Sequence, residues 1–233
     1  MRYFFLVVFF GCCGVVLSKP WPVLRLLQTL SFFDQIPNPF AGLLIKGKSS
    51  SSVATVMSRS NVLFSQLEGV WLEFGALDDV VMGGVSQTSK TPGAGSGVFS
   101  GVVSTDNNGG FAGVRTKLFD PPRDISVSTG FQLKVAGDGN RYKYIIRDDS
   151  QWNGVAWSSS FDTSKGKTVT VKLPIAGFKP TRFAKTVVGG PNFNKRNFCG
   201  LQFTLSKFEY DGGLNPAFTP GSFNLDLQEI SLY

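Results

Sequence analysis

Residues 76–86 read ALDDVVMGGVS, and this stretch places two adjacent carboxylates, an apolar triplet and a glycine pair side by side. Two more polar, glycine-rich stretches follow, NNGGF at 107–111 and GDGNRY at 137–142. Each of the three runs directly into a segment in which apolar and polar residues alternate. Because polar turns between alternating segments are typical of antiparallel sheets, the pattern predicts a β-sandwich with specialised loops.

The alternation of apolar and polar residues continues through the rest of the chain. It is regular in residues 131–135, 169–173 and 201–205, as expected for strands with one face in a core. The phase slips within residues 223–232, which predicts a β-bulge near Gln228. We expect about ten strands beginning near residue 71, a long loop over residues 179–197, and therefore an all-β jelly-roll β-sandwich.

The formal charge of +7 belongs mostly to the first sixty residues. Residues 1–60 carry six Lys or Arg against a single acidic residue, Asp34, whereas residues 61–233 carry 17 against 15. Nucleic-acid binding needs a concentrated basic face, which the composition of the second part does not favour. We therefore expect no nucleic-acid partner.

The chain divides into three segments. Residues 1–18 resemble a signal peptide, since Arg2 precedes an apolar run at 3–17 that is shorter than the ~20 residues of a membrane span; a short membrane anchor is the alternative. Residues 19–60 are basic and serine-rich, as in a transit peptide or linker, and residues 61–233 form the predicted domain. The two-part N-terminal targeting extension predicts a plastid location, with the mitochondrion or the secretory pathway as alternatives, and it is compatible with peripheral membrane association.

The absence of histidine limits the chemistry of the chain. Ser-His-Asp sites, Cys-His sites and zinc sites built from Cys and His are excluded within it. Cys199, which is the only cysteine after Cys13, is expected to be buried and unreactive. We predict a protein that is not an enzyme, with neither catalytic residues nor a cofactor.

The adjacent carboxylates of Asp78 and Asp79 allow two interpretations. Oxygen ligands on a sandwich loop could hold a structural calcium ion. Alternatively, Asp78 caps a turn and Asp79 pairs with Arg115 or Arg141.

Trp152 and Trp157 flank a turn at residues 153–154. One of the two rings could stack on a sugar or on a protein partner while the other packs inside. Together with the paired carboxylates, this leaves a carbohydrate-binding module as an alternative function.

The predicted domain at 61–233 resembles, over about residues 68–233, the domain of complex I intermediate-associated protein 30, an assembly factor for NADH:ubiquinone oxidoreductase. The stretches that carry the resemblance are DDVVMGGVS at 78–86, FSG at 99–101, NGGF at 108–111, GDGNRYK at 137–143 and LP at 173–174. The versions from photosynthetic organisms, one of them tied to photosystem II biogenesis, are similar in further stretches, at 76–79, 102–105, 206–212 and 214–216. The resemblance implies a galactose-binding-like jelly roll and a non-enzymatic helper that holds assembly intermediates.

We therefore expect an assembly factor or chaperone-like module that binds protein subunits or fellow factors of a membrane-embedded electron-transport complex. A stable accessory subunit of such a complex is a further alternative. The candidate residues for partner contact or loop organisation are Asp78, Asp79, Asn108, Asp138, Arg141, Lys207, Glu209, Asp211, Trp152 and Trp157.

Overall fold

The computed structural model describes residues 21–33 and 61–233. The predicted signal segment at 1–18 and most of the transit-like extension lie outside the described residues. The described part begins with helix α1 (Trp21–Phe32) and continues with thirteen strands. Within these two ranges, no helix has the length and apolar character needed to cross a membrane.

The strands form the two antiparallel sheets of a jelly-roll β-sandwich, as predicted. In chain order they are β1 (Val62–Ser65), β2 (Phe74–Ala76), β3 (Gln87–Lys90), β4 (Val98–Val103), β5 (Phe111–Thr116), β6 (Gly130–Ala136), β7 (Arg141–Arg147), β8 (Ala156–Asp162), β9 (Thr168–Pro174), β10 (Lys179–Arg182), β11 (Lys185–Thr186), β12 (Gly200–Ser206) and β13 (Gly221–Leu232). Sheet one has the order β3-β4-β13-β6-β9, with β1 also paired to β13. Sheet two has the order β11-β10-β8-β7-β12-β5-β2.

The core lies between the sheets and is rich in aromatic rings. The apolar positions of the alternating segments point inward, so that β6, β7 and β12 each contribute fully buried side chains. Tyr144 of β7 lies at the centre, with its ring centroid 5.3 Å from that of Phe131 and 5.1 Å from that of Phe203. Each such ring contributes about 2 kcal/mol by burial, which makes this layer the main source of stability.

Two predictions on strand placement have clear outcomes. The bulge near Gln228 is confirmed, because the register of β13 against β6 shifts between Leu227 and Glu229. The long loop predicted over residues 179–197 is wrong at its start, where β10 and β11 form a hairpin. Strands of two to four residues are too short to show the alternation that identified the others.

Candidate functional site

The carboxylate of Asp79 is fully buried and joins two loops. Its Oδ1 accepts a hydrogen bond from the backbone N–H of Ser86 at 2.9 Å. Its Oδ2 accepts from the Ser86 hydroxyl at 2.6 Å and from the backbone N–H groups of Gly110 and Phe111 at 2.7 and 3.3 Å. These donors occupy both carboxylate oxygens, so that Asp79 organises the loops from inside.

Glycines lie beside Asp79 because its carboxylate approaches their backbone too closely for a Cβ atom. A Cβ at Gly84 would lie 2.3 Å from Cγ of Asp79, and a Cβ at Gly109 would lie 2.5 Å from its Oδ2. Both distances are well below van der Waals contact. One glycine of each pair, Gly84 and Gly109, therefore leaves room for the Asp79 carboxylate.

Asp78 points the other way and binds helix α1. Its Oδ2 accepts from Nη2 of Arg25 and from the backbone N–H of Thr88, both at 2.8 Å. Its Oδ1 accepts from the Thr88 hydroxyl at 2.5 Å and from the N–H of Gly113 at 3.3 Å. Burial raises the pKa of Asp78, and the bonds from Thr88 and the charge of Arg25 counteract that rise.

The partners predicted for the two aspartates were therefore wrong. Asp78 precedes a short 3-10 helix (Asp79–Met82), but its side chain makes no cap bond there. Asp79 is satisfied by backbone N–H groups and a hydroxyl instead of by an arginine, and Arg115 lies on the outer face of sheet two, where it donates to Gln202 at 2.9 Å. The arginine that pairs is Arg25, which is 53 residues before Asp78 in the sequence.

Asp138 is a second organiser at the ends of β7 and β13. Its Oδ1 accepts from the N–H of Asn140 at 3.0 Å. Its Oδ2 accepts from the Tyr142 hydroxyl at 3.0 Å and from the N–H of Asn224 at 2.8 Å. Like Asp79, this carboxylate ties separate segments together.

After β12 the chain forms a hairpin-like loop, residues 207–215, that crosses the outer face of sheet two; we call it the crossing loop. The N–H of Glu209 donates to the carbonyl of Gly213 at 2.8 Å. Its tip is Asp211-Gly212, with φ values of 56° and 83°. Two successive residues at positive φ are the signature of a type I′ hairpin turn.

Side chains of sheet two hold the stem of the crossing loop. The Lys143 ammonium donates to the carbonyl oxygen of Phe208 at 2.6 Å and to that of Glu209. The Glu209 carboxylate accepts from the Ser160 hydroxyl at 2.6 Å and lies 3.0 Å from Nε of Arg141. Burial lowers the pKa of Lys143 to about 8, against the opposing effect of Glu209.

The tip of the crossing loop holds the β10–β11 hairpin. Asp211 accepts from the N–H and the hydroxyl of Thr186, both at 2.7 Å, and donates its own N–H to the carbonyl of Ala184 at 3.0 Å. The hairpin turn consists of Phe183 and Ala184, with φ values of 50° and 59°. Its phenylalanine side chain is 73% exposed.

Further apolar side chains of the crossing loop face outward. Phe208 and Leu214 are 39% and 74% exposed, and their backbones pair across the loop. We define the crossing-loop surface as the exposed side chains of Phe183, Phe208 and Leu214.

The two tryptophans lie in different environments. Trp157 is buried and packs on Phe193 with a centroid distance of 5.1 Å. Trp152 is half-buried beneath the guanidinium of Arg115, 4.8 Å from its ring centroid, and beside Phe33 at 5.2 Å. Burial, together with the charge of Arg147, lowers the pKa of Arg115.

Neither a metal cluster nor a reactive thiol is found at these sites. Within residues 21–33 and 61–233, no three Cys, Asp or Glu side chains converge as metal ligands. Cys199 is buried, as predicted, and its thiol donates to the carbonyl of Asp149 at 3.0 Å. Burial raises the pKa of that thiol to about 11.

Comparison with protein families identifies the domain. The family model for complex I intermediate-associated protein 30 matches residues 62–227. The chain belongs to this family. No curated protein matches it.

Solved structures with the same fold include carbohydrate-binding modules. The family 11 module of the cellulosomal cellulase Lic26A-Cel5E of Clostridium thermocellum is 17% identical with a TM-score of 0.51, over 74% of this chain and 94% of that one. The Clostridium thermocellum family 11 module in complex with a β-1,3-1,4-mixed-linked tetrasaccharide is 19% identical with a TM-score of 0.50, over 72% and 92%. At these identities the likeness shows the fold alone.

In this member of the complex I intermediate-associated protein 30 family, the predicted site residues form several groups. Asp79 lies beside Gly110, whose carbonyl accepts from the N–H of Lys207 at 2.8 Å, and the Lys207 ammonium donates to the carbonyl of Asn108 at 3.3 Å. Arg141 and Glu209 form a pair on the stem of the crossing loop. Asp211 lies at the tip of the same loop, whereas Asp138 and the two tryptophans lie elsewhere, and partner contact by any of these residues stays a prediction.

Three residues that matter here were missed by sequence reasoning. They are Arg25, Lys143 and Phe183. Arg25 is far from its partner in sequence, and Phe183 lacks the Asn-Gly or Asp-Gly signal of a tight hairpin. Lys143 occupies a polar position of an alternating strand, where exposure is the ordinary outcome. The crossing loop covers it instead.

Proposed function

We propose that this protein is a non-enzymatic assembly factor that binds an immature protein subunit of a membrane-embedded electron-transport complex through the crossing-loop surface. The observation that carries the proposal is the exposed ring of Phe183 on a left-handed hairpin turn. Membership of the complex I intermediate-associated protein 30 family supports an assembly role.

The backbone of Phe183 has a positive φ of 50°, which is unusual for a bulky residue. A bulky residue at positive φ is disfavoured and costs on the order of 1 kcal/mol. An exposed ring recovers none of that cost from the core. Asp211 holds the turn through Thr186, so the strained conformation persists with the ring directed to solvent. Exposed aromatic side chains on rigid supports are typical anchors of protein interfaces.

Positive charge lies on the same hairpin as the exposed ring. Lys179, Arg182 and Lys185 are exposed on the same hairpin, and the Lys179 ammonium lies 4.6 Å from the ring centroid of Tyr210. A basic rim around an apolar centre favours a partner with acidic residues around an apolar patch.

The composition of the N-terminal extension supports an organelle location, and we propose the plastid. A photosystem or an NADH dehydrogenase type complex is then the complex served. Native fractionation of the tagged full chain tests this step. Co-migration with assembly intermediates supports a transient factor, whereas co-migration with the mature complex supports an accessory subunit.

Affinity purification from organelle extract tests the surface. Phe183→Asn removes the ring and retains a residue that tolerates positive φ, and Leu67→Asn, at a position 96% exposed in another loop, is the matched control. We expect Phe183→Asn to lose most of the partner recovered by wild type, and Leu67→Asn to retain it. Equal recovery by the two variants, with both folded, contradicts the proposal.

The carbohydrate-binding alternative is supported by fold likeness alone. The exposed aromatic ring that a sugar would need is not offered by Trp157, which is buried, and the ring of Trp152 is covered by Arg115 and Phe33.

A further inference from the structure

Helix α1 binds the sandwich through its polar side. Nη2 of Arg25 donates to Oδ2 of Asp78 and to the carbonyl of Ser86, both at 2.8 Å. The ring of Phe32 lies directly on the backbone of Gly75, where a Cβ would be 2.2 Å from Cδ1 of that ring. An ion pair and a ring contact thus fix the orientation of the helix.

The opposite side of α1 is apolar and exposed. Val23, Leu24 and Leu27 are 65%, 52% and 46% exposed. Residues at i, i+1 and i+4 lie on one side of a helix. A surface helix normally turns such a stripe toward the core, so this arrangement is the reverse of the ordinary one.

The neighbouring loop extends the apolar stripe. The 3-10 helix Asp79–Met82 packs against α1, and Arg25 reaches the backbone of the turn that follows it. Val81, Met82 and Val85 in these segments are 37%, 68% and 42% exposed. Because these segments lie next to α1, we group the three side chains with Val23, Leu24 and Leu27 and name the set the outer apolar face.

The adjoining sequence indicates what covers this face. The apolar run at 3–17 ends three residues before α1, and Lys19 lies between them. Three residues span at most about 10 Å. We take the run as the short membrane anchor that is the alternative to a signal peptide, so that residues 1–33 stay on the chain. A bilayer that accepts the anchor is then within reach of α1. The extension that carries this apolar helix face has six Lys or Arg against one acidic residue in residues 1–60, and apolar helix faces in basic segments are typical of helices that lie in the interface of membranes with anionic lipids.

We propose that the outer apolar face lies on the surface of a bilayer that contains anionic lipids. The ion pair between Arg25 and Asp78 then transmits the orientation of the helix to the sandwich. The domain is held at a fixed angle to the membrane, which goes beyond the assembly role proposed above and does not depend on the identity of the partner.

Depth-dependent fluorescence quenching on the full chain tests this proposal. An environment-sensitive fluorophore is attached at Leu24→Cys, Leu27→Cys or Met82→Cys in a chain that carries Cys12→Ala and Cys13→Ala. The buried Cys199 is left in place. Vesicles contain phosphatidylcholine and phosphatidylglycerol, with brominated acyl chains as the quencher. Probes at Leu67→Cys and Val188→Cys, positions 96% and 93% exposed, are the controls.

Because an interfacial helix inserts its apolar face about 5–10 Å into the bilayer, we expect vesicle-bound protein to lose a large part of its fluorescence at positions 24, 27 and 82, with little loss at the two control positions. Adding Leu24→Glu to the Met82→Cys chain should abolish the quenching there. If the chain binds vesicles through the apolar run alone, positions 24, 27 and 82 remain as bright as the controls, and the proposal is overturned. The proposal is also overturned if these positions escape quenching because a protein covers the outer apolar face.

Discussion

The surroundings of Asp79 and the crossing loop contain the same kinds of residues and use them in opposite ways. Asp79 directs its carboxylate inward to backbone N–H groups and a hydroxyl, and its neighbours are glycines that make room for it. In the crossing loop, carboxylates bind other surface segments and thereby hold phenylalanine and leucine side chains in solvent. The difference teaches that a polar, glycine-rich loop is not in itself a binding site. The two regions differ in what their polar groups bind. Around Asp79 they hydrogen-bond to one another inside the protein, whereas in the crossing loop they support an exposed apolar surface.

The largest effect is expected for Asp79→Asn. The side-chain amide of this variant directs an NH2 group at N–H and O–H donors that bind the carboxylate in wild type. Those buried donors then have no acceptor, so we expect the free energy of unfolding to fall by about 3–5 kcal/mol. Urea denaturation measures this loss. Asp106→Asn, an exposed residue of the neighbouring loop, is the control and should change little. Equal stability of the two variants would show that Asp79 is not an organiser.

The second effect is a pH dependence that belongs to Lys143. Burial lowers its pKa from 10.5 to about 8, so between these values the unfolded chain binds more protons than the folded one. Stability should therefore rise with pH across this window, by on the order of 1–3 kcal/mol relative to Lys143→Met. The measurement is urea denaturation of both proteins at pH values across the window, with Lys134→Met at an exposed position as the control. A constant difference between wild type and Lys143→Met contradicts the burial of a charged amine beneath the crossing loop.

A smaller and local effect is expected for Asp211→Gly, since glycine accepts the positive φ of this position. The variant removes both carboxylate acceptors of Thr186, so the amide of Thr186 should exchange faster with solvent while the melting temperature changes little. Hydrogen exchange followed by NMR checks this. Asp124→Ala, which removes a similar exposed turn bond to Ser126, should leave Thr186 unaffected. Unaltered exchange of Thr186 in Asp211→Gly would show that the crossing loop does not hold the hairpin.

The smallest change in stability is expected for Phe183→Asn. Asparagine tolerates positive φ, so the free energy of unfolding should stay equal or rise by about 0.5 kcal/mol. Thermal unfolding beside Val188→Asn, another highly exposed position, measures it. A clear loss of stability would mean that the ring packs on the protein and is not held out for a partner.

Much of the fold could be predicted from the sequence because apolar and polar residues alternate in several of its longer strands. The bulge of β13 was visible as a phase slip, and the burial of Cys199 followed from its neighbours Phe198 and Gly200. The hairpin of β10 and β11 was not predicted, since strands of two to four residues carry no periodicity. The turn at Asp211-Gly212 did carry a hairpin signal, although nothing local indicated which segment its carboxylate would bind.

The candidate site was less predictable than the fold because its contacts are distant in sequence. The pair of Arg25 and Asp78 joins the extension to the domain across 53 residues. The exposure of Phe183 depends on a turn conformation that its residue type disfavours. Sequence patterns identify which residues are unusual in such loops, but the side to which each one points is decided by packing.

Site-specific photo-crosslinking in the organelle tests the central claim most directly. A photoreactive phenylalanine analogue is placed at position 183 in one strain and at position 127 in another, and the adducts are identified by mass spectrometry. The account predicts a protein adduct at position 183 and none at position 127. The crosslinked protein should be a subunit of an electron-transport complex or a fellow assembly factor. The same adducts at both positions, or none at position 183 while the tagged chain still recovers its partner, would contradict it.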